Sequence, residues 1–345
     1  MIMSTLSEAY QDHPLHPHHV IPLDFDSVRA LPDTHVWPPA SHALESDDRL
    51  SIPTVDLTDP DAGKLVGQAC EAWGAFQVTN HAIPLDLLRE VESEARRLFS
   101  LPTEQKLKAL RSPGGATGYG LARISPFFNK YMWHEGFTIM GSSIDHARDL
   151  WPNDYQRFCD AMEDYQKRMK ELAITLMHLI LKSLDISEEE RTRVVSAGGA
   201  STALQLNSYP FCPDPNRAMG LAPHTDTSLL TILHQSTVNG LQIFKDGVGW
   251  VLVSPTNGSL VVNVGDLLHV LSNAQFPNVL HRVVLKENQQ RLSLAYFYCL
   301  PSDFHISPLA PLNPTRMPLF RSVSVRDYIG IKAKNLEKAL SLIRF

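Results

Sequence analysis

The sequence predicts an α+β protein: a helical N-terminal half, then an antiparallel β sandwich or barrel, then a closing helix. Three observations carry that prediction. Between about Asn153 and Ser183, the residues Met162, Tyr165, Met169, Leu172, Leu176, Leu179 and Ile180 fall on one helical stripe, and such a stripe packs a core. After "SAGGA" (196–200) the chain becomes a series of short β-type runs at regular spacing, separated by turn signals. A helical pattern then returns over about Val325 to Ile343.

The elements follow in chain order. Residues 1–50 are rich in Pro, His, Asp and Ser, and read as a loosely structured lead that packs through Val36 and Trp37. Within it His13, His16, His18 and His19 alternate with Pro14 and Pro17. Proline keeps this tract extended, so it reads as a lead-in and not as a metal cage. "SIPTVDL" (51–57) is a short strand. Leu65, Ala69 and Trp73 recur at helical spacing up to Gly74, and "AFQVTNH" is a second strand. Residues 85–110 carry two helical patterns broken at Leu101–Pro102, with Thr103 as the expected N-cap. "RSPGGATGYG" (111–120) is a loop by composition. Residues 121–141, "LARISPFFNKYMWHEGFTIMG", are aromatic-rich without a clean period and read as an irregular lid. The later runs "TALQLNSYPF", "SLLTILHQ", "GLQIFKDGVGWVLV", "GSLVVNVGDLLHVLSN", "VLHRVVLKE" and "RLSLAYFYCL" are strands, with "KDGVG" (245–249) a hairpin turn. The division is a lead (1–50), a mostly helical region containing the lid (51–199), a β core (200–305) and a C-terminal extension with its helix (306–345).

Composition narrows the function. With 43% hydrophobic and 20% charged residues, the 345-residue chain reads as a soluble globular protein with a sizeable core. Its net charge of -6 gives no electrostatic reason to expect nucleic acid or an anionic membrane as partner. No segment reaches the ~18 apolar residues of a membrane span, and the N-terminus lacks the pattern of a signal peptide. Four scattered cysteines without a CxxC pair suit a reducing compartment. A cytoplasmic monomer acting on a small molecule is expected.

The chemistry concentrates in "LAPHTDTSLLTIL" (221–233). His224 and Asp226 stand two apart, so on a strand they would face the same side. Two ligands are too few, and His281 in "PNVLHRVVL" is the candidate third, from a strand adjacent in space. Two histidines and a carboxylate make the facial triad of non-haem Fe(II) oxygenases, which leaves coordination positions open. His81, His234 and His269 sit in apolar surroundings and read as core histidines with a backbone partner. Arg291 and Ser293 share one strand face in "QRLSLAYFY" and together suit a carboxylate. That face continues through Ala295 to Phe297. Tyr209 offers another hydroxyl, with Asn207 on the same face.

These residues resemble the plant 2-oxoglutarate- and Fe(II)-dependent dioxygenases, whose double-stranded β-helix (jelly-roll) core carries H-x-D…H and R-x-S in this order. The likeness runs over nearly the whole chain after residue 50, through "IPTVDL", "CEAWGAFQVTNHAIP", "LPTEQKLKA", "LNSYPFCPDP", "LAPHTDTSLLTIL", "GLQIFKDGVGW" and "VNVGDLLHVLSN". "GYGLARISPFFNKYMWHEGFTI" with "RDLWP" is similar to the gibberellin 3-beta-hydroxylases within that family. The resemblance implies that His224, Asp226 and His281 bind Fe(II). It also implies that Arg291 and Ser293 hold the distal carboxylate of 2-oxoglutarate with help from Tyr209, that Asn207 sits near the co-substrate and that Phe297 lines the substrate side. Oxidative decarboxylation with O2 would then yield succinate and CO2 while a substrate carbon gains a hydroxyl, with ascorbate supporting turnover.

A gibberellin is a rigid, largely apolar tetracycle with a carboxylate. Phe127, Phe128, Trp133 and Phe137 are candidates for its wall, and Arg123 or Lys130 for its cation. The alternatives are the same chemistry at another gibberellin position or on a flavonoid-like molecule, and a jelly roll that binds a ligand without turnover. Against the subgroup's pattern, His134 stands where serine is usual, Ser208 where a bulkier residue often precedes the tyrosine, and "FYCLPSD" where a glycine-containing stretch is commoner. These departures are expected to leave the iron and co-substrate residues untouched and to bear on substrate preference, Cys299 and Leu300 adjoining the pocket.

Overall fold

The computed structural model describes residues 6–38, 51–199, 201–286, 289–310 and 317–345. Two sheets build the β core. In spatial order the larger runs Thr54–Asp56, Ala75–Thr79, Leu260–Val264, Leu230–Gln235, Arg291–Cys299, Ser201–Tyr209, Glu135–Ile139 and Gly118–Gly120. The smaller runs Leu221–His224, His281–Val283, Leu241–Lys245 and Gly249–Leu252. Leu233, Val261 and Ala295 of the larger sheet pack with Leu241 and Ile243 of the smaller, which makes the double-stranded β-helix. The predicted turn at 245–249 closes the Leu241–Lys245 and Gly249–Leu252 hairpin.

Side chains on a strand alternate faces, and here the alternation divides the work. On Ser201–Tyr209 and Arg291–Cys299, the even positions Leu204, Leu206, Leu292, Leu294, Tyr296 and Tyr298 enter the main core on the helix side. The odd positions, from Ala203 to Tyr209 and from Arg291 to Cys299, line an internal cavity of about 680 Å³. Behind the even face lies helix Gln156–Lys182, with the stripe Met162, Tyr165, Met169, Leu172, Leu176 and Ile180 buried. Helices Ala62–Trp73 and Leu85–Phe99 flank it. Ala62–Trp73 ends at Gly74, whose φ of +66° is left-handed and whose missing Cβ lets the Pro277 carbonyl approach.

Several expectations change. Glu135–Ile139 is a strand of the larger sheet, paired with Ser201–Tyr209, so it does not belong to an irregular lid. Its start is pinned at Glu135, a buried carboxylate that accepts from Lys106 Nζ at 2.7 Å and Tyr119 Oη at 2.6 Å. Gly118–Gly120 pairs with it, inside the stretch that composition marks as loop. "DLLHVL" is a helix, Asp266–Leu271, where a strand was expected; Leu267, Leu268, Val270 and Leu271 are buried at helical spacing. Thr103 is the first helical residue and not the cap, and its hydroxyl donates to Asp24 Oδ1 at 2.7 Å. The C-terminal helix runs Val325–Asn335, capped by Ser324, and breaks at Leu336 (φ +42°) into 3-10 turns.

The lead also differs from a loose segment over residues 6–38. It forms the helix Leu6–Gln11 and two 3-10 turns, and backbone bonds stitch it to the lid: Leu15 N–H to Pro113 O, Leu121 N–H to Val20 O, Tyr131 N–H to Thr34 O. Asp12 pairs with Arg326 of the C-terminal helix at 2.9 Å. The two ends of the chain therefore meet. The four cysteines are free and buried, and no helix among the described residues is long and apolar enough to cross a membrane.

Candidate active site

His224 is the last residue of strand Leu221–His224, and His281, the first of His281–Val283, lies directly opposite it in the antiparallel pair. Their ring centroids are 4.2 Å apart. Asp226 is beyond the strand end, so the shared-face argument does not place it. The turn does: Asp226 O accepts from Asp266 N–H at 2.8 Å, and Asp226 Oδ2 accepts from Thr231 Oγ1 at 2.6 Å. The carboxylate reaches both histidines, Oδ1 to His224 Nε2 at 3.6 Å and Oδ2 to His281 Nε2 at 3.9 Å. All three residues are buried, and one donor atom from each lies within 4.8 Å of the others.

The donor set fits a divalent metal. His224 Nδ1 bonds the Ala222 carbonyl at 2.8 Å and His281 Nδ1 the Val279 carbonyl at 3.1 Å. A carbonyl only accepts, so each Nδ1 carries the proton and each Nε2 presents a lone pair to the centre. Burial, then His281, push the His224 pKa down to about 3, so its ring is neutral. Burial raises the Asp226 pKa, yet His281, His224, the Thr231 hydroxyl and Lys332 together outweigh it and hold the carboxyl below its ordinary range. One carboxylate and two imidazoles suit Fe(II).

Arg291 is buried beside this centre. Its Nη2 donates to Gln235 Oε1 at 3.0 Å and its Nη1 to Ser293 Oγ at 3.3 Å, while Nε has no partner. The guanidinium lies over the Tyr209 ring at 5.2 Å. No carboxylate of the described residues pairs with it. A buried guanidinium with a free donor and no anion is a prepared carboxylate seat. Burial pushes the Tyr209 hydroxyl pKa up, while Arg291 and Ser293 pull it down, and the phenol stays protonated as a donor.

Comparison with known proteins decides the family. A model of the 2OG-Fe(II) oxygenase superfamily matches residues 200–300, and one of the N-terminal region of a non-haem dioxygenase in morphine synthesis matches residues 52–156. Gibberellin 3-beta-dioxygenase 1 of Pisum sativum is 52% identical over 99% of this chain and 94% of its own length. Its Arabidopsis thaliana namesake is 49% identical over 98% of each. The chain belongs to the 2OG-Fe(II) oxygenase superfamily. Among solved structures, JOX2 in complex with 2OG, Fe and JA superposes with a TM-score of 0.78 at 27% identity, covering 92% of this chain and 95% of that one. The rice dioxygenase for auxin oxidation gives 0.71 at 25% identity, over 86% of this chain and 100% of that one. This oxygenase is therefore an enzyme that uses Fe(II), 2-oxoglutarate and O2.

The oxygenase cavity joins His224, Asp226, His281, Arg291, Ser293, Tyr209, Asn207 and Phe297, and Arg123 and Phe127 line it as well. Four candidates are elsewhere. Phe128 packs on Trp37 outside the cavity, at a ring distance of 5.5 Å. Lys130 is half-buried and donates to the Asp33 carbonyl outside the cavity. Trp133 fills a separate buried cluster with Cys212 and Ala218, its Nε1–H shared between the Pro210 and Phe211 carbonyls. Phe137 faces the main core edge-on to Phe158, because strand pairing fixes which way it points. Of the wall expected from "SPFFNKYMW", Phe127 alone reaches the cavity.

Other positions matter that local pattern did not mark. Thr231 orients Asp226, and Gln235 holds Arg291. Both lie on the odd face of Leu230–Gln235, so the period that marked Arg291 and Ser293 also marks them. Lys332 of the C-terminal helix donates to Thr225 O at 2.7 Å and pairs with buried Asp266, tying that helix to the metal turn. Its distance along the chain hides it from any motif. His134 contacts the co-substrate side after all, because its Nε2 bonds Asn207 Oδ1 at 2.9 Å. Burial pushes its pKa down to about 4. Cys299 lines the cavity, whereas Leu300 is wholly buried outside it. His81 and His269 bond carbonyls as core histidines do, but His234 faces Glu92 at 3.6 Å and not a backbone group.

Proposed function

We propose that the protein hydroxylates a gibberellin at C-3 with 2-oxoglutarate and O2, releasing succinate and CO2. The observation that carries this reading is the 52% identity to the pea gibberellin 3-beta-dioxygenase over nearly the full length of both chains. Its support in the geometry is a closed set of groups in a cavity wide enough for a tetracyclic substrate. In this reading His224, Asp226 and His281 hold Fe(II), and Arg291 with Ser293 holds the distal carboxylate of 2-oxoglutarate. The Tyr209 phenol donates to that carboxylate. Asn207, fixed by His134, borders the co-substrate, and Phe297 lines the substrate side. Fe(II) bound there supplies the oxidative chemistry that carries one oxygen atom of O2 to carbon. The chain's own task is to aim one C–H bond at that centre and to exclude water, for which the apolar strand faces are suited.

The test is incubation of purified protein with Fe(II), ascorbate, 2-oxoglutarate and a gibberellin panel. Mass spectrometry should find one added oxygen, and chromatographic standards should locate it at C-3, with succinate formed in step. Oxygen at another carbon, or reaction only with a flavonoid, would overturn the reading.

A further inference from the structure

We propose that Arg111 and Arg123 form the seat for the substrate's carboxylate in the part of the cavity wall built from the lead and the lid. Both line the same cavity as the metal triad. Arg111 is 3% exposed. Its Nη2 donates to the Leu121 carbonyl at 2.6 Å, and its Nε is buried with no partner. Arg123 is half-buried; Nη1 donates to Gly115 O at 2.6 Å and Nη2 to His13 O at 3.1 Å, over the Tyr10 ring at 4.2 Å. Neither guanidinium has a carboxylate partner among the described residues.

Buried cations in proteins are paired, because leaving an unpaired charge out of water is costly. This molecule follows the rule elsewhere: buried Lys106 has Glu135 and buried Lys332 has Asp266. Asp12, the acid nearest in the lead that borders the cavity, is paired with Arg326. Burial first, then the neighbouring Arg123, push the Arg111 pKa down to about 10, which still leaves it charged. Two like charges in one wall with no anion between them call for an anion from outside.

Arg291 supplies the internal comparison. It too is buried, carries an unpartnered Nε and lacks an acid, and it sits where the family's co-substrate brings a carboxylate. Arg111 repeats that signature in the same cavity. The same cavity is lined by Ala122, Ile124, Pro126 and Phe127, which are apolar. The ligand class is a rigid apolar body bearing one carboxylate, held by charge-assisted bonds at one end while the other end meets the metal centre. This rests on the hydroxylation reading above and deepens it.

The experiment compares a gibberellin acid with its methyl ester in wild type, Arg111→Gln, Arg111→Lys and Arg123→Gln. Wild type should prefer the acid by about 10- to 100-fold in kcat/KM, the range expected for hydrogen bonds to a charged group. In Arg111→Gln and Arg123→Gln the acid's KM should rise by about 10-fold or more, with the ester affected far less, so the preference collapses; Arg111→Lys should restore part of it. Melting temperature with Mn(II) and 2-oxoglutarate monitors folding, and Arg123→Gln stands if Arg111→Gln does not fold. Equal use of acid and ester by wild type, or equal loss of both in Arg123→Gln, would overturn the seat. If neither compound gains oxygen, the hydroxylation reading fails separately. Anaerobic titration with both compounds then judges the arginines: acid preference lost in the variants upholds them, and indifference to the ester or no binding of either overturns them.

Discussion

Two parts of one cavity wall are built in opposite ways. On the barrel side, the two histidines of the candidate metal site and the candidate anion seat come from paired strands, so the position of one residue fixes the next: His281 opposite His224, and Arg291 opposite Tyr209, with Asp226 set by the turn after its strand. The rest of the wall is assembled from the lead, the stretch 111–127 and the C-terminal helix, segments far apart in sequence and joined by scattered hydrogen bonds and an ion pair. Regular pairing makes the first part a fixed centre that many substrates can share. Piecemeal assembly makes the second part the place where one substrate is told from another.

The comparison can be broken first at the barrel. His224→Ala should abolish succinate formation coupled to substrate while the protein still melts cooperatively; turnover at the wild-type rate would remove the triad from the mechanism. Trp133→Ala tests the other part. Because Trp133 is 1% exposed in its own cluster, the variant should lose about 3–5 kcal/mol of stability in urea unfolding, with selectivity among gibberellins retained. A switch in selectivity without loss of stability would put Trp133 back in the wall. Arg291→Ala should raise the KM for 2-oxoglutarate by about 10- to 100-fold, and an unchanged KM would separate the seat from the co-substrate.

The smallest effect is on pH. His134 and His35 are buried and their pKa values pushed down to about 4, against an ordinary value of 6.5. The unfolded chain therefore binds protons first as pH falls. Their stabilisation is complete above about 6.5 and is lost toward 4, by at most ~1.4 kcal/mol per pH unit for each group. His134→Ser should flatten the decline in melting temperature between pH 7 and 5, and an unaltered slope would assign that decline to other groups.

Legibility followed the same division. Arg291, Ser293, Tyr209, Asn207 and Phe297 could be singled out from residue type and a period of two, because a strand enforces that period; His281 stood out by residue type, and Asp226 lies past the strand end, where the turn and not the period sets it. The helical stripe of 156–182 was readable for the same kind of reason. Phe128, Lys130, Trp133 and Phe137 were misplaced because 121–141 mixes a turn with a strand, and composition does not reveal which aromatic faces inward. Arg111 and Lys332 had no local signal. Their roles depend on what the fold leaves unpaired or brings together, as Arg111 Nε and the Lys332–Asp266 pair illustrate.

The meeting of the chain's two ends has a genetic consequence. A premature stop just after Ser324 would spare His224, Asp226, His281, Arg291 and Ser293. It would delete Lys332, which steadies the metal turn, and Arg326, the partner of Asp12 in the lead. Such an allele would keep the codons of all five candidate site residues and lose the Lys332 bond to the turn at Thr225. A loss of activity from that cause would be invisible to any reading of the motifs alone.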